Sequence, residues 1–322
     1  MMKKKINPAS VVTDEEVASM INELSHEFEM SEVEKLSCSW IRAIMSQPSR
    51  KKNNPRRSFE YSKKKLCTYL KWRTDSRITD KIQYHLNNGG ENEKEDNGST
   101  DATVSAGEVA PTPTTMKLIT TTSPGSFYWY GVDNEGAPVL WYKADLTIFE
   151  KTNVQNEIEY ASLILHGALD ALPPNVHSLN FVILFDKYRA GKALQRPSMG
   201  PEFIKMLMLT CPDRLKRAIM VTGIAGHVFF NIAKGLAPSN IIDKVVVTQS
   251  RKEAAELIVE LGIVTKDCLP DFMNGTFVHN EVLTTNYSAM IKAVRLAMRQ
   301  YDSEPSCKAL SLASSSSLRL LY

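Results

Sequence analysis

Residues 180–186 read NFVILFD, an apolar run bounded by one amide and one acid. A strand solvated on one face alternates apolar and polar side chains, and a strand covered on both faces does not. The run therefore predicts a strand buried between two layers. The pattern returns in RAIMVTG at 217–223 and KVVVTQS at 244–250. Helical stripes lie between and around these runs. Val154, Ile158, Ala161, Leu165, Leu169 and Leu172 share one face of 154–172, and Phe203, Met206, Leu207 and Thr210 line up over 199–210. Further helices are expected at 226–236 and 251–261. Covered strands alternating with helices predict an α/β fold, a mainly parallel sheet with helical crossovers. Ahead of them, FYWY at 127–130, the turn DNEG at 133–136 and PVLWYKADL at 138–146 predict a hairpin.

The first third has a different grammar. Thr13 and Glu16 form a capping box ahead of Val17, Ile21, Leu24 and Phe28, and 13–47 reads as helical. NNPRRS at 53–58 interrupts it, and 59–86 reads as a second helical stretch. Residues 87–118 are rich in Asn, Gly, Glu, Ser, Thr and Pro, and no aromatic appears in them. Such a segment cannot bury enough surface to offset its ordering entropy, which predicts a disordered linker. The expected division is a helical module at 1–86, the linker at 87–118, the α/β unit at 119–277, and a C-terminal helix (284–301) with a loose Ser-rich tail within 278–322.

Composition removes several classes of function. The net charge of the 322 residues is only +3, which does not argue for nucleic acid. Five cysteines, Cys38, Cys67, Cys211, Cys268 and Cys307, form no C-x-x-C pair and suit a reduced interior. No apolar run reaches the length of a membrane span, and MMKKKINPAS lacks the apolar core of a secretory signal. The expectation is a cytoplasmic monomer with peripheral membrane contact. Lys51, Lys52, Arg56, Arg57, Lys63, Lys64 and Lys65 form a basic cluster, read either as a solvated face or as an attractor of anionic lipid.

Catalytic motifs are missing. Gly223 and Gly226 follow a strand and precede a helix, but the third glycine and the downstream acid of a dinucleotide site are absent. A nucleotide-using α/β enzyme stays a remote alternative. There is no G-x-S-x-G elbow, no phosphate-loop motif and no metal-ligand spacing. The scattered histidines, His166 and His227 among them, and Asp186 at its strand end read as structural. The expectation is a protein without catalytic activity, cofactor or metal.

The order of the pieces resembles the CRAL-TRIO lipid-binding family, with its yeast-type phosphatidylinositol transfer members. Cys211-Pro212-Asp213-Arg214-Leu215 is similar to that family's Tyr-Pro-Glu-Arg-Leu phrase. Lys234-Gly235-Leu236-Ala237 stands where it has Lys-Pro-Phe-Leu, and Lys244-Val245 where a strand opens Lys-Ile. Leu269-Pro270 and Asn274-Gly275 match its Leu-Pro…Gly-Gly ending, and DNEGAPVLWYKAD its Asp-Gly-Arg-Pro-Val strand. Within 59–86, CTYLKWRTDSRITDKIQYHL at 67–86 resembles the N-terminal helical phrase.

The resemblance implies a cage: a five-stranded sheet as floor, helices over it, and an amphipathic lid helix that opens at a membrane. It implies one bound lipid, phosphatidylinositol or a phosphoinositide favoured, with transient contact to an anionic membrane and no nucleic acid. By position the headgroup residues fall on Arg73, Asp213, Arg214 and Lys244, with a salt bridge between Asp213 and Lys244 as the plainer reading. The lipid pocket and lid fall on Leu140, Ile183, Phe203, Leu207, Phe229, Phe230, Ile232 and Leu236. Phe181 and Ile183 replace the hydroxylated residues of phosphatidylcholine-binding members, which disfavours that lipid and admits a more apolar one such as a sterol or tocopherol. The alternative is a lipid-sensing or scaffold module without transfer.

Overall fold

The computed structural model describes residues 11–49, 55–88, 126–144, 154–186, 199–223, 230–231, 234–235, 239–276 and 287–303. The expected linker lies outside them except for its first two residues, as does the Ser-rich tail. So do Phe229, Ile232 and Leu236 of the expected lid.

The first helical stretch is three helices rather than one: α1 (Asp14–Ser25), α2 (Met30–Val33) and α3 (Cys38–Met45). Thr13 and Glu16 close the expected capping box on α1. The Ser37 hydroxyl accepts from the Trp40 amide and starts α3 afresh. These helices bury Val17, Met20, Leu24, Trp40, Ile41 and Ile44 in a core of their own.

The second stretch also breaks, into α4 (Phe59–Ser76) and α5 (Ile78–Asn88). Arg77 between them is left-handed, at φ 52°, a conformation uncommon outside glycine that ends a helix sharply. The break divides two cores. Leu66, Tyr69 and Leu70 of α4 pack with α1 and α3, whereas Ile78, Ile82 and Leu86 of α5 pack with the sheet. Trp72 touches both cores.

The sheet contains β1 (Phe127–Val132), β2 (Pro138–Lys143), β3 (Leu179–Leu184), β4 (Leu215–Val221) and β5 (Val245–Thr248), in that spatial order. β1 and β2 are the expected antiparallel hairpin, and the other neighbours are parallel. Asp133 holds the hairpin turn, accepting from the Glu135 and Ala137 amides at 2.9 Å each. Helix α6 (Val154–Leu169) connects β2 to β3, and α7 (Met199–Thr210) connects β3 to β4. The short α8 (Ser239–Ile242) precedes β5, and α9 (Arg251–Glu260) follows it. α10 (Tyr287–Ser303) packs on α5, α6 and β1, where the Tyr287 hydroxyl donates to the Leu163 carbonyl at 3.1 Å.

Register sorts the side chains into two faces. Trp129, Leu140 and Phe181 align across β1, β2 and β3, and Ala218 and Val245 continue the row. This front face meets α6 and α7: the Trp129 indole donates to the Ile164 carbonyl, and Phe127 and Phe181 lie beside the Phe203 ring. The opposite row packs with α9 and the turn around Phe272, against which Trp141 stands edge-on at 5.6 Å. Asp186 is held at its strand end: its carboxylate takes two bonds from Arg251, whose third goes to the Phe272 carbonyl. Gly223 lies against the same strand end. A Cβ there would sit 3.2 Å from the Asp186 carbonyl oxygen, so close packing of two strand ends accounts for this glycine.

The unit closes at Asn274, left-handed at φ 61°, and Gly275, whose amide donates to the Pro270 carbonyl at 2.9 Å. A Cβ on Gly275 would collide with the Leu269 carbonyl. Backbone cannot yield as a side-chain tip can. Gly275→Ala is expected to lose about 2–3 kcal/mol and about 5 °C or more of Tm, read by thermal unfolding. An unchanged Tm would contradict this packing.

Candidate binding site

Two regions gather the residues singled out above, one apolar and one charged. The apolar region is the front face of the sheet. Leu140 on β2 and Phe181 and Ile183 on β3 are buried there, beside Ala218 and Met220 of β4. Phe127 stacks on Tyr142 at 4.2 Å, and Phe203 of α7 lies 5.5 Å from Phe127 and 6.2 Å from Phe181. Leu207 follows Phe203 by one helical turn and joins the same cluster. Phe230 packs against it too, with the Lys234 ammonium 4.8 Å above its ring. The five described members of the expected pocket, Leu140, Ile183, Phe203, Leu207 and Phe230, all belong to or pack against one continuous core, which spans both faces of the sheet. None of these residues, nor Phe181, offers a hydroxyl to a phosphate.

The four expected headgroup residues are not brought to one point. Arg73 is fully buried, and its guanidinium bridges segments far apart in the chain. Nε donates to Glu32 at 2.6 Å. Nη1 donates to Tyr69 and Asp170, and Nη2 to Thr79 and Asp170. A guanidinium has five N–H donors, and here each has an acceptor. None is left for a headgroup, which departs from the expectation. The reason is position: α4 aims Arg73 at the end of α6.

Asp213 also serves the seam between module and cage. It sits at φ 62° in the phrase joining α7 to β4, and its carboxylate receives both nitrogens of the Arg57 fork and the Lys65 ammonium, the latter at 2.9 Å. The expected bridge to Lys244 is not formed. Lys244 Nζ instead donates to the Leu215 carbonyl at 2.5 Å. Arg214 also meets the module, stacking 3.6 Å over the Trp40 ring, whose indole donates to the Pro212 carbonyl at 2.9 Å. The Cys211–Leu215 phrase is therefore a docking face for the helical module.

Arg57 and Lys65 are the partners that motif comparison missed. Both belong to the basic cluster, but Arg57 lies in the segment before the Ser58 cap and Lys65 inside α4, so helical spacing did not pair them. Membership of that cluster was the available signal. Glu32, Tyr69 and Asp170 carried none.

The electrostatics agree with a closed seam. Burial alone would raise the Asp170 carboxyl, but Arg73 outweighs it and holds the carboxyl below the ordinary range. At Asp213 burial is likewise outweighed, by Arg57 and Lys65. His166 is wedged against Trp72 at 4.9 Å and Tyr69 at 5.9 Å. Burial, and then the Arg73 charge, push its imidazole down to about 3, so it is neutral at physiological pH. Burial lowers the Lys244 ammonium from its usual value.

A family model described as "CRAL/TRIO domain" matches residues 122–275, from just ahead of the hairpin to Gly275. The chain carries a CRAL/TRIO domain. Domains of this family bind lipids and related hydrophobic small molecules, which suits the apolar face. No curated protein matches the chain in sequence. A solved structure titled "Crystal structure of Sfh5" is similar in fold at 12% identity and a TM-score of 0.49, covering 94% of this chain and 100% of that one. Helices α1–α5 and α10 lie outside the matched CRAL/TRIO residues, and the Arg73 and Asp213 pairs tie α2 and α4 to them. No described helix is long and apolar enough to cross a membrane.

Removing Arg73 leaves Asp170 buried without a counter-charge, a loss of about 3–5 kcal/mol for pairs of this kind. A carboxyl whose folded pKa is depressed stabilises the fold above its unfolded pKa, about 3.9, and that contribution is lost as pH falls through the folded pKa. The destabilisation by Arg73→Gln should therefore be largest near pH 7 and shrink below about pH 4, where Asp170 is protonated in the variant. Denaturant unfolding at both pH values reads it. A loss that does not change with pH would contradict the assignment.

Proposed function

We propose that this chain binds one membrane lipid against the front face of its sheet and exchanges it at a membrane, with phosphatidylinositol or a phosphoinositide favoured. The apolar face running from Leu140 through Phe181 and Ile183 to Met220 carries the reading. Each buried CH₂ contributes about 0.8 kcal/mol, in the protein as in a bilayer. The acyl chains therefore make exchange between the two nearly neutral, and selectivity falls to the headgroup contacts.

Arg73 has no donor to give, so the headgroup reading rests on Lys244 with the cations at Asp213. Lys244 is half buried, and among the described residues its ammonium donates only to the Leu215 carbonyl. Lys65 and Arg57 add two positive charges against the single Asp213 carboxylate. A phosphate meeting this group would find charge-assisted donors in a partly desolvated place.

A second reading, a module that senses lipid or holds a protein without transfer, has its own observation. The Phe127, Tyr142, Phe181 and Phe203 rings pack on one another and fill part of the front face themselves.

Native mass spectrometry of gently isolated protein tests lipid binding, and transfer between vesicles separates the two readings. Retained lipid supports transfer or sensing of lipid; bare protein under conditions that keep lipid in a control carrier rejects lipid binding. Lys244→Ala is expected to slow phosphatidylinositol transfer between labelled vesicles about tenfold, as loss of one charged hydrogen bond would. Uptake of an uncharged apolar ligand should be unaffected. Equal losses for both ligands would remove the headgroup assignment.

A further inference from the structure

Away from the apolar face, the described residues enclose a polar cleft of 320 Å³ where three parts of the chain meet. Its walls come from Lys35 after α2, from Thr79, Ile82 and Gln83 of α5, from the turn after α6, and from Arg295 of α10. No lining residue belongs to the sheet or to α7, so the cleft is separate from the front face.

The charges in this cleft do not balance among the described residues. Lys35 and Arg295 both face it, and neither forms a salt bridge among the described residues, although the Lys35 charge helps hold the Asp170 carboxyl down. Arg295 Nε is buried and finds no hydrogen-bond acceptor among the described residues. A buried donor left unpaired is uncommon and calls for an explanation. The acid on the wall, Asp170, does not answer it. Both its oxygens are held by Arg73 at 2.9 Å each, and Arg73 also pairs with Glu32, so this cluster carries one negative charge and the cleft keeps a surplus of positive charge from Lys35 and Arg295. The Thr79 hydroxyl is also engaged, accepting from Arg73 and donating to Glu32 at 2.8 Å. Gln83 leaves an amide at the mouth, and Ile82 and Leu172 give an apolar wall.

We propose that this cleft is a second binding site, which takes a small phosphate monoester. A monoester brings three acceptor oxygens and about −1.5 to −2 charge at pH 7, enough to engage Arg295 and Lys35 together. The Arg295 fork suits two phosphate oxygens, and Lys35 supplies a point charge opposite. The volume is near the lower end of ligand sites, about 300–1,000 Å³, and fits a short carbon stem against Ile82 and Leu172. Because α2, α5, α6 and α10 all contribute, the bound anion would tie the helical module to both the cage and the C-terminal helix.

The same monoester can come from a soluble metabolite or from a lipid headgroup, and two arms separate them. In one, glycerol 3-phosphate is titrated into the full chain by calorimetry at low salt. In the other, the full chain is sedimented with phosphatidylcholine vesicles containing phosphatidic acid. Saturable binding is expected in at least one arm, about tenfold or more weaker for Lys35→Gln and for Arg295→Gln, with Arg295→Lys in between. The arm that responds names the source. Lys35 is exposed, so its variant tests the site even if Arg295→Gln does not fold. Lys252→Gln, on α9 at the far side of the sheet, makes the same charge change elsewhere and should bind as wild type. No binding in either arm, binding kept by both glutamine variants, or an equal loss in Lys252→Gln would each overturn the proposal.

Discussion

A single buried guanidinium holds the two halves of this molecule in register. Arg73 leaves α4 and finds an acceptor for every N–H it has, on α2, α4, α5 and the end of α6. Removing a charge from water is expensive, and only a complete set of partners offsets it. The partners are complete only when the helical module sits squarely on the α/β unit. The Asp213 pairs with Arg57 and Lys65 and the stack of Arg214 on Trp40 repeat the same logic further along the seam. Apolar burial drives each core to form, while these directional contacts fix how the cores meet.

That seam explains why the front face of the sheet is left to apolar chemistry. The polar groups of the Cys211–Leu215 phrase are turned toward the module, away from the strands. What remains over β2, β3 and β4 is Leu140, Phe181, Ile183, Ala218 and Met220. One phrase of sequence thus does two jobs: it docks a neighbouring unit, and it keeps charge off a surface suited to hydrocarbon.

Much of the fold was legible in the sequence, because each strand is a buried run whose periodicity differs from that of the helices around it. The hairpin, the parallel order and the C-terminal helix stand where those patterns put them. The breaks were less visible. Continuous apolar spacing from 59 to 86 conceals the left-handed Arg77, because a non-glycine residue gives no local sign of positive φ. The headgroup set was legible by type and not by partner. Arg73 and Lys244 are the residue types a phosphate would want, yet the acceptors they meet are distant in sequence, 97 positions for Arg73 and Asp170 and 29 for Lys244 and Leu215. Burial of the apolar residues was easier to read, since hydrophobic contact tolerates many geometries and a guanidinium fork tolerates few.

Arg77 has a further consequence for how the molecule is laced together. By turning the chain at that point, it lets α5 leave its own module and enter the core of the next, where α6 and α10 grip it. The long covalent stretch between residues 89 and 125 is then not the only tether. Were a protease to cut it, the amino-terminal fragment would still be anchored through Ile78, Ile82 and Leu86 and through the Arg73 network. The two pieces would travel as one body until something unfolded them.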